Sequence, residues 1–213
     1  MSEPGTDRRI GVLVSGRGSN LQALVDAIEG RRLDASIALV VSNVAGAPAL
    51  ARAAAAGIET LVMPHTDWPS REAFDERLAE ALNERHVRLV CLAGFMRRLS
   101  RRFLECYRGP VLNVHPSLLP AFPGTNAPAQ ALAHGVKVAG CTVHLVTEEL
   151  DGGPIVLQAA VPVIRDDTAE TLAARILIEE HRLLPAAVSL VLDGRWRLDG
   201  RRFVEPPLSA TAD

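Results

Sequence analysis

The chain has 213 residues, 48% of them hydrophobic, and a formal net charge of −2 at neutral pH. That size and apolar content suit one globular domain with a sizeable core. The near-neutral charge removes the electrostatic case for nucleic acid or an anionic membrane as a partner. Residues 1–9 are polar and read as a flexible N-terminus, not a signal peptide, and no apolar run approaches a membrane span. Cys91, Cys106 and Cys141 have neither metal nor redox spacing, so reduced thiols in a cytoplasmic protein are expected. Lys137 is the only lysine, which argues against Schiff-base chemistry.

Ile10 to Ser15 reads as a buried strand, apolar without alternation, as parallel sheets demand. Gly16-Arg17-Gly18-Ser19-Asn20 follows, then a helix over Leu21 to Ile28. A strand over Ile37 to Val41, a helix over Pro48 to Ala56 closed by Gly57, and a short strand over Thr60 to Met63 come next. Ser70 is the expected N-cap of a helix reaching Arg85. Leu89 to Leu92 forms a strand entering Ala93-Gly94-Phe95-Met96, and a short helix near Ser100 to Tyr107 precedes a strand starting at Val111. This alternation predicts a Rossmann-like, doubly wound, mainly parallel α/β sheet. The pattern then changes. After a helix over Ala127 to His134, the β runs Cys141 to Val146 and Ile155 to Val163 extend the sheet as an antiparallel hairpin. A long helix over Thr168 to Leu192, bent at Pro185, and a small hairpin over Trp196 to Val204 complete a single domain spanning 10–204. Residues 205–213 read as a tail.

In such sheets ligands sit beyond the carboxyl ends of the strands, and three features fall there. The first is the glycine loop, whose free N–H groups and helix dipole favour an anion. A dinucleotide fingerprint would place a third glycine at Leu21 and an acidic residue near Ser42-Asn43; a nucleotide P-loop would need Gly-Lys-Ser/Thr. The loop therefore suits one phosphate. The same residues also read as a plain tight turn with Ser19 capping the helix.

The second is Asn113-Val114-His115-Pro116, where a strand end points Asn113 and His115 to one face and Pro116 halts regular pairing. The plain alternative is a turn cap and a satisfied, half-buried histidine. The third is the turn at Gly94. Downstream, Leu150-Asp151-Gly152-Gly153-Pro154 forces a sharp loop whose carboxylate is either a turn former or the partner of an imidazole. Together Asn113, His115 and Asp151 would supply an oxyanion donor, a proton-transfer group and its partner. His65, His86 and His134 read as ordinary loop and helix-end residues. His144 lies in a β run on an undetermined face, and His181 follows Glu180. No pair has metal-ligand spacing, so no metal is expected.

Gly16-Arg17-Gly18-Ser19-Asn20, Ala93-Gly94-Phe95-Met96-Arg97, Asn113 to Pro120, and Leu150-Asp151-Gly152-Gly153-Pro154 occur in an order and separation that resemble the phosphoribosylglycinamide formyltransferase family, from about Ile10 to Leu192. The resemblance implies the formyltransferase fold and 10-formyltetrahydrofolate as co-substrate. The formyl group would pass by direct amine attack to glycinamide ribonucleotide, in purine biosynthesis. It implies Asn113, His115 and Asp151 as the catalytic set. Gly18, Ser19, Asn20 and Glu180 would hold the ribonucleotide. Met96, Arg97, Arg98 and Leu99, with Asn113 and the run Thr147, Glu148, Glu149, Leu150 and Asp151, would line the folate pocket, and Arg71 would meet its glutamate tail. Asn126 stands where the family usually has histidine. Ser117 is expected to bond backbone in its turn, not to act as a nucleophile. The resemblance leaves monomer and homodimer open. A formyltetrahydrofolate hydrolase, with water in place of the amine, and a non-catalytic nucleotide-binding module are the alternatives.

Overall fold

The computed structural model describes residues 8–205, so residues 1–7 and 206–213 of the expected terminal segments lie outside the described residues. Nine strands form one sheet in the order β3-β2-β1-β4-β5-β6-β7-β9-β8. The parallel half is β1 (Arg9–Val14), β2 (Ser36–Ser42), β3 (Thr60–Val62), β4 (Leu89–Leu92) and β5 (Val111–His115). β1 alternates its fully buried residues between the two faces: Val12 and Val14 join one core, Leu13 the other. This double burial is why the strand reads as continuously apolar. On the first face lie Leu21 and Leu24 of α1 (Ser19–Glu29) and Leu172, Ile176 and Leu184 of α6 (Ala169–Leu192). The opposite face is covered by Phe74, Leu78 and Leu82 of α3 (Arg71–Glu84) and Phe103 of α4 (Arg101–Cys106).

The strand order reverses between β1 and β4, because α2 (Pro48–Ala55) returns the chain outward to β3 and α3 carries it back across. Ligand crevices form at the carboxyl ends of such a pair of strands. The helix starts follow their sequence signals: Ser70 Oγ accepts from the Ala73 amide at 3.1 Å, and Thr168 forms a reciprocal capping box with Thr171. α6 continues unbroken through the buried Pro185.

The second half is mixed. β6 (Val138–Leu145) and β7 (Ile155–Pro162) pair antiparallel, as the two β runs predict. β6 begins at Val138, ahead of the expected Cys141, because Ala139-Gly140 pair in the ladder although neither carries a β-forming side chain. β6 is also the antiparallel neighbour of β5, with Asn113 opposite His144 and His115 opposite Thr142. The terminal hairpin, β8 (Arg197–Asp199) and β9 (Arg202–Val204), joins β7 through a parallel bridge between Ile155 and Arg202. Among the described residues no helix is long and apolar enough to cross a membrane.

Candidate active site

Directly opposed residues of an antiparallel pair share a face, so the β5–β6 register gathers Asn113, His115 and His144 above the sheet. Asp151 reaches them from the turn after β6, closed by the Gly152 amide donating to the Glu149 carbonyl at 3.3 Å. Asp151 is in the left-handed region, φ 50°, which a short polar side chain tolerates better than most. Only glycine fits at 153, where a Cβ would come within 1.7 Å of the Leu145 carbonyl oxygen. Asp151 Oδ2 accepts from the Gly124 amide at 2.7 Å and lies 3.5 Å from His115 Nδ1. Its Oδ1 is 3.8 Å from His144 Nε2.

The hydrogen-bond partners fix which ring nitrogens carry protons. The Phe122 carbonyl, 2.9 Å from His115 Nε2, can only accept, so Nε2 carries a hydrogen. Nδ1 then holds the lone pair in the neutral ring, and it faces the Asp151 carboxylate. A proton at Nδ1 would make that contact attractive. For His144 the acceptor is the Leu145 carbonyl, 3.0 Å from Nδ1. Its Nε2 is left to accept from Asn113 Nδ2 at 3.2 Å. Burial pushes the His144 ring below its ordinary value and keeps it neutral, against the opposing pull of Asp151. His144 therefore orients the Asn113 amide with its N–H side toward the ring, leaving a second N–H to donate.

The loop behind His115 is held by a buried polar web. Thr142 Oγ1 donates to the Ser117 carbonyl at 2.7 Å and accepts from the Leu119 amide at 3.0 Å. Gln158 Nε2 donates to the Leu119 carbonyl at 3.0 Å. Ser117 Oγ donates to the Ala121 carbonyl at 2.5 Å, the turn-bonding role its position suggests. The Leu119–Pro120 peptide is cis.

These groups open into a cavity of about 370 Å³ between the 92–99 segment and the 146–151 loop. Leu92, Phe95, Leu99 and Val146 give it apolar walls, with Asn113, His115 and Asp151 at one end. Met96, Arg97, Arg98, Thr147, Glu149 and Leu150 also face it, and so does Asn126, the left-handed N-cap of α5 (Ala127–His134). Glu148, expected in the wall, does not line the cavity, and Arg71, expected at the glutamate tail, lies outside it. Arg71 Nη2 is engaged by the Leu99 carbonyl at 3.2 Å, behind the wall. Glu148 directs its carboxylate toward Arg101, 3.6 Å away, while Arg98 donates to its carbonyl.

The glycine loop lies on the same rim. Ser15 Oγ donates to Asn43 Oδ1 at 2.6 Å and accepts from the Met96 amide at 2.8 Å, tying the loop to the cavity wall. The helix cap is Gly18, not Ser19; Ser19 is the first residue of α1. Gly18 has φ 73°, and a Cβ there would come within 2.6 Å of Ala49 Cβ. Position 18 thus excludes any side chain that could cap α1, and the helix start has no side-chain cap hydrogen bond. Its first amides have no side-chain partner, an arrangement that suits an anion. Asn20 Nδ2 donates to Glu180 Oε2 at 2.7 Å, and Asn20 Oδ1 is buried without a partner. Burial raises the Glu180 carboxyl above its ordinary value, partly offset by the Asn20 bond and the charge of His115.

An uncapped glycine loop and an amide–imidazole–carboxylate cluster thus share one crevice. The formyl transferase family model matches residues 8–188, and the chain belongs to that family. Within it, the chain is similar to phosphoribosylglycinamide formyltransferases. The Escherichia coli enzyme of that name is 44% identical over 209 residues, 95% of this chain and 98% of its own. The crystal structure of glycinamide ribonucleotide transformylase 1 from Symbiobacterium toebii superposes with a TM-score of 0.92 at 52% identity, covering 95% and 96% of the two chains. The trifunctional purine biosynthetic protein adenosine-3 of Bos taurus is 50% identical over 190 residues, and the chain spans only 19% of that protein's length.

Proposed function

We propose that this domain transfers the formyl group of 10-formyltetrahydrofolate to the amine of glycinamide ribonucleotide. The observation that carries this reading is the convergence of Asn113, His115 and Asp151 on one end of an apolar cavity whose wall is tied through Ser15 to the uncapped α1 loop. A flat folate ring suits the walls formed by Leu92, Phe95, Leu99 and Val146, and the cavity volume lies within the ordinary range for small-molecule sites. The ribonucleotide phosphate would occupy the Gly18, Ser19 and Asn20 amides, with Glu180 meeting the ribose. Amine attack on the formyl carbon develops charge on its oxygen, which the free Asn113 N–H stabilises. His115 Nδ1, backed by Asp151, takes the amine proton and returns one to the departing folate nitrogen. No covalent bond to the protein is needed. The three free cysteines, two of them buried, fit a reducing, cytoplasmic setting.

Mixing the protein with 10-formyltetrahydrofolate, with and without glycinamide ribonucleotide, tests the reading by absorbance. Amine-dependent release of tetrahydrofolate is the expected result. Release without the amine would mean a hydrolase, and no release in either arm would mean a binding module.

Glu180 provides a test of the ribonucleotide subsite. A carboxyl whose folded value is raised binds its proton more tightly in the folded state, so stability falls as pH climbs through the unfolded and then the folded value. Glu180→Gln keeps an acceptor for Asn20 and removes that penalty. Its melting temperature should exceed wild type near neutral pH and match it below about pH 4, where both states are protonated. The same variant should raise the KM for the ribonucleotide, so that stability and affinity move in opposite directions.

A further inference from the structure

We infer that Arg201, at the tip of the terminal hairpin, is a positioning residue that sets the Asp151 carboxylate against His115; this rests on the formyl-transfer reading above. The segment from Glu149 to Asp151 is a thin partition. On one side is the catalytic cavity; on the other is a second cavity of about 510 Å³, bounded by Leu119, Pro123, Ile155 and Phe203. Glu149, Leu150 and Asp151 line both. Leu150 is 54% exposed, so the loop has little packing to hold its shape. Asp151 adopts a left-handed backbone there, which a short polar side chain tolerates but which local contacts must still select.

Besides the Gly152–Glu149 backbone bond and the Gly124 amide on Asp151, two guanidinium groups hold the ends of the loop. Arg98 donates to the Glu148 carbonyl from inside the catalytic cavity. Arg201 reaches across the second cavity, donates to the Gly152 carbonyl and pairs with Glu149 at 3.4 Å. Arg201 can transmit position because its own hairpin is anchored. Trp196 Nε1 donates to the Val191 carbonyl at the end of α6 at 3.0 Å, and Trp196 stacks on Phe203 with ring centroids 5.1 Å apart. The Ile155–Arg202 bridge fixes the hairpin to β7. Arg201 lines only the outer cavity, so its effect on the reaction must pass through the loop. At 73% side-chain exposure its ion pair adds little to overall stability, which separates a positioning role from a folding one.

The experiment is steady-state kinetics on the full chain with Arg201→Ala, Arg201→Lys, Asp151→Asn and the Arg201→Ala/Asp151→Asn double variant, with Arg197→Ala as a control elsewhere on the hairpin. Arg201→Ala should lower kcat about tenfold, as small misplacements of a reacting group do, with both KM values within about twofold of wild type. Arg201→Lys, which retains a donor for the Gly152 carbonyl, should recover most of that loss, and Arg197→Ala should behave as wild type. The double variant should be no slower than Asp151→Asn alone, since the arginine acts through that carboxylate. Unchanged kcat in Arg201→Ala, a loss shared by Arg197→Ala, or a loss that multiplies with Asp151→Asn would each overturn the inference. A wild-type protein without amine-dependent release would instead overturn the formyl-transfer reading.

Discussion

His115→Ala and Asp151→Asn should each lower kcat by at least about 100-fold, with the KM of either substrate changed little. The geometry explains why the loss falls on turnover. His115 is 5% exposed, and its Nε2 is committed to the Phe122 carbonyl, so the ring contributes chiefly through Nδ1. Asparagine at 151 is close in shape, tolerates the same left-handed backbone, and can still accept from the Gly124 amide through its carbonyl oxygen. Its amide group, turned toward His115 Nδ1, would donate to the neutral ring and leave no carboxylate to back a second proton. The fold survives and the proton station does not. Because the two residues form one unit, the double variant should lose little more than either single one. Near-normal turnover in either variant removes that residue from proton transfer.

Asn113→Ala should lower kcat by about 10²–10³-fold, the usual effect of deleting one donor to a developing oxyanion. Here the amide does not act alone. His144 accepts one of its N–H groups at 3.2 Å and so sets which way the amide faces. His144→Phe removes that acceptor and should lower kcat about tenfold, within the range expected for a displaced catalytic group. Combined with Asn113→Ala it should add nothing. Burial lowers the His144 value, so the ring is neutral across the neutral range and becomes a donor at Nε2 only at more acidic pH. Acidification should thus weaken the wild-type enzyme by turning the amide, while His144→Phe lacks that component. A His144→Phe variant with wild-type kcat would show that the amide is oriented by its backbone alone.

How much of this was legible depends on how local each signal is. Asn113 and His115 announce themselves because a two-residue step along a strand is a geometric statement in itself. The glycine loop is equally local, but the alternative of Ser19 as the cap fails for a reason the linear chain does not display: Gly18 takes the cap position, where Ala49 leaves no room for a Cβ. Asp151 is legible as one of two readings, a turn former or the partner of an imidazole, and the resemblance favours the second, since a carboxylate in a glycine-rich turn is unremarkable alone. His144 was not legible. Its face is set by the pairing of β6 with β5, and a one-residue slip would have pointed it away. Arg71 and Glu148 show the converse: both lie near the pocket in sequence, yet a backbone carbonyl engages one and the other turns outward to Arg101. Arg201 lies 49 residues beyond Gly152, and only the return of the terminal hairpin to β7 brings them together.

The antiparallel insertion of β6 beside β5 divides the machinery into two mechanical classes. Asn113, His115 and His144 are rungs of a nine-stranded ladder, and none can drift unless neighbouring strands unzip. Asp151 and the Gly124 amide ride on turns, which can yield by small backbone rotations. On the proposed reading, Asn113 and His115 are thus mounted on ladder strands and His144 steadies one of them from the neighbouring strand. The carboxylate of Asp151, by contrast, is carried by a turn rather than by the ladder.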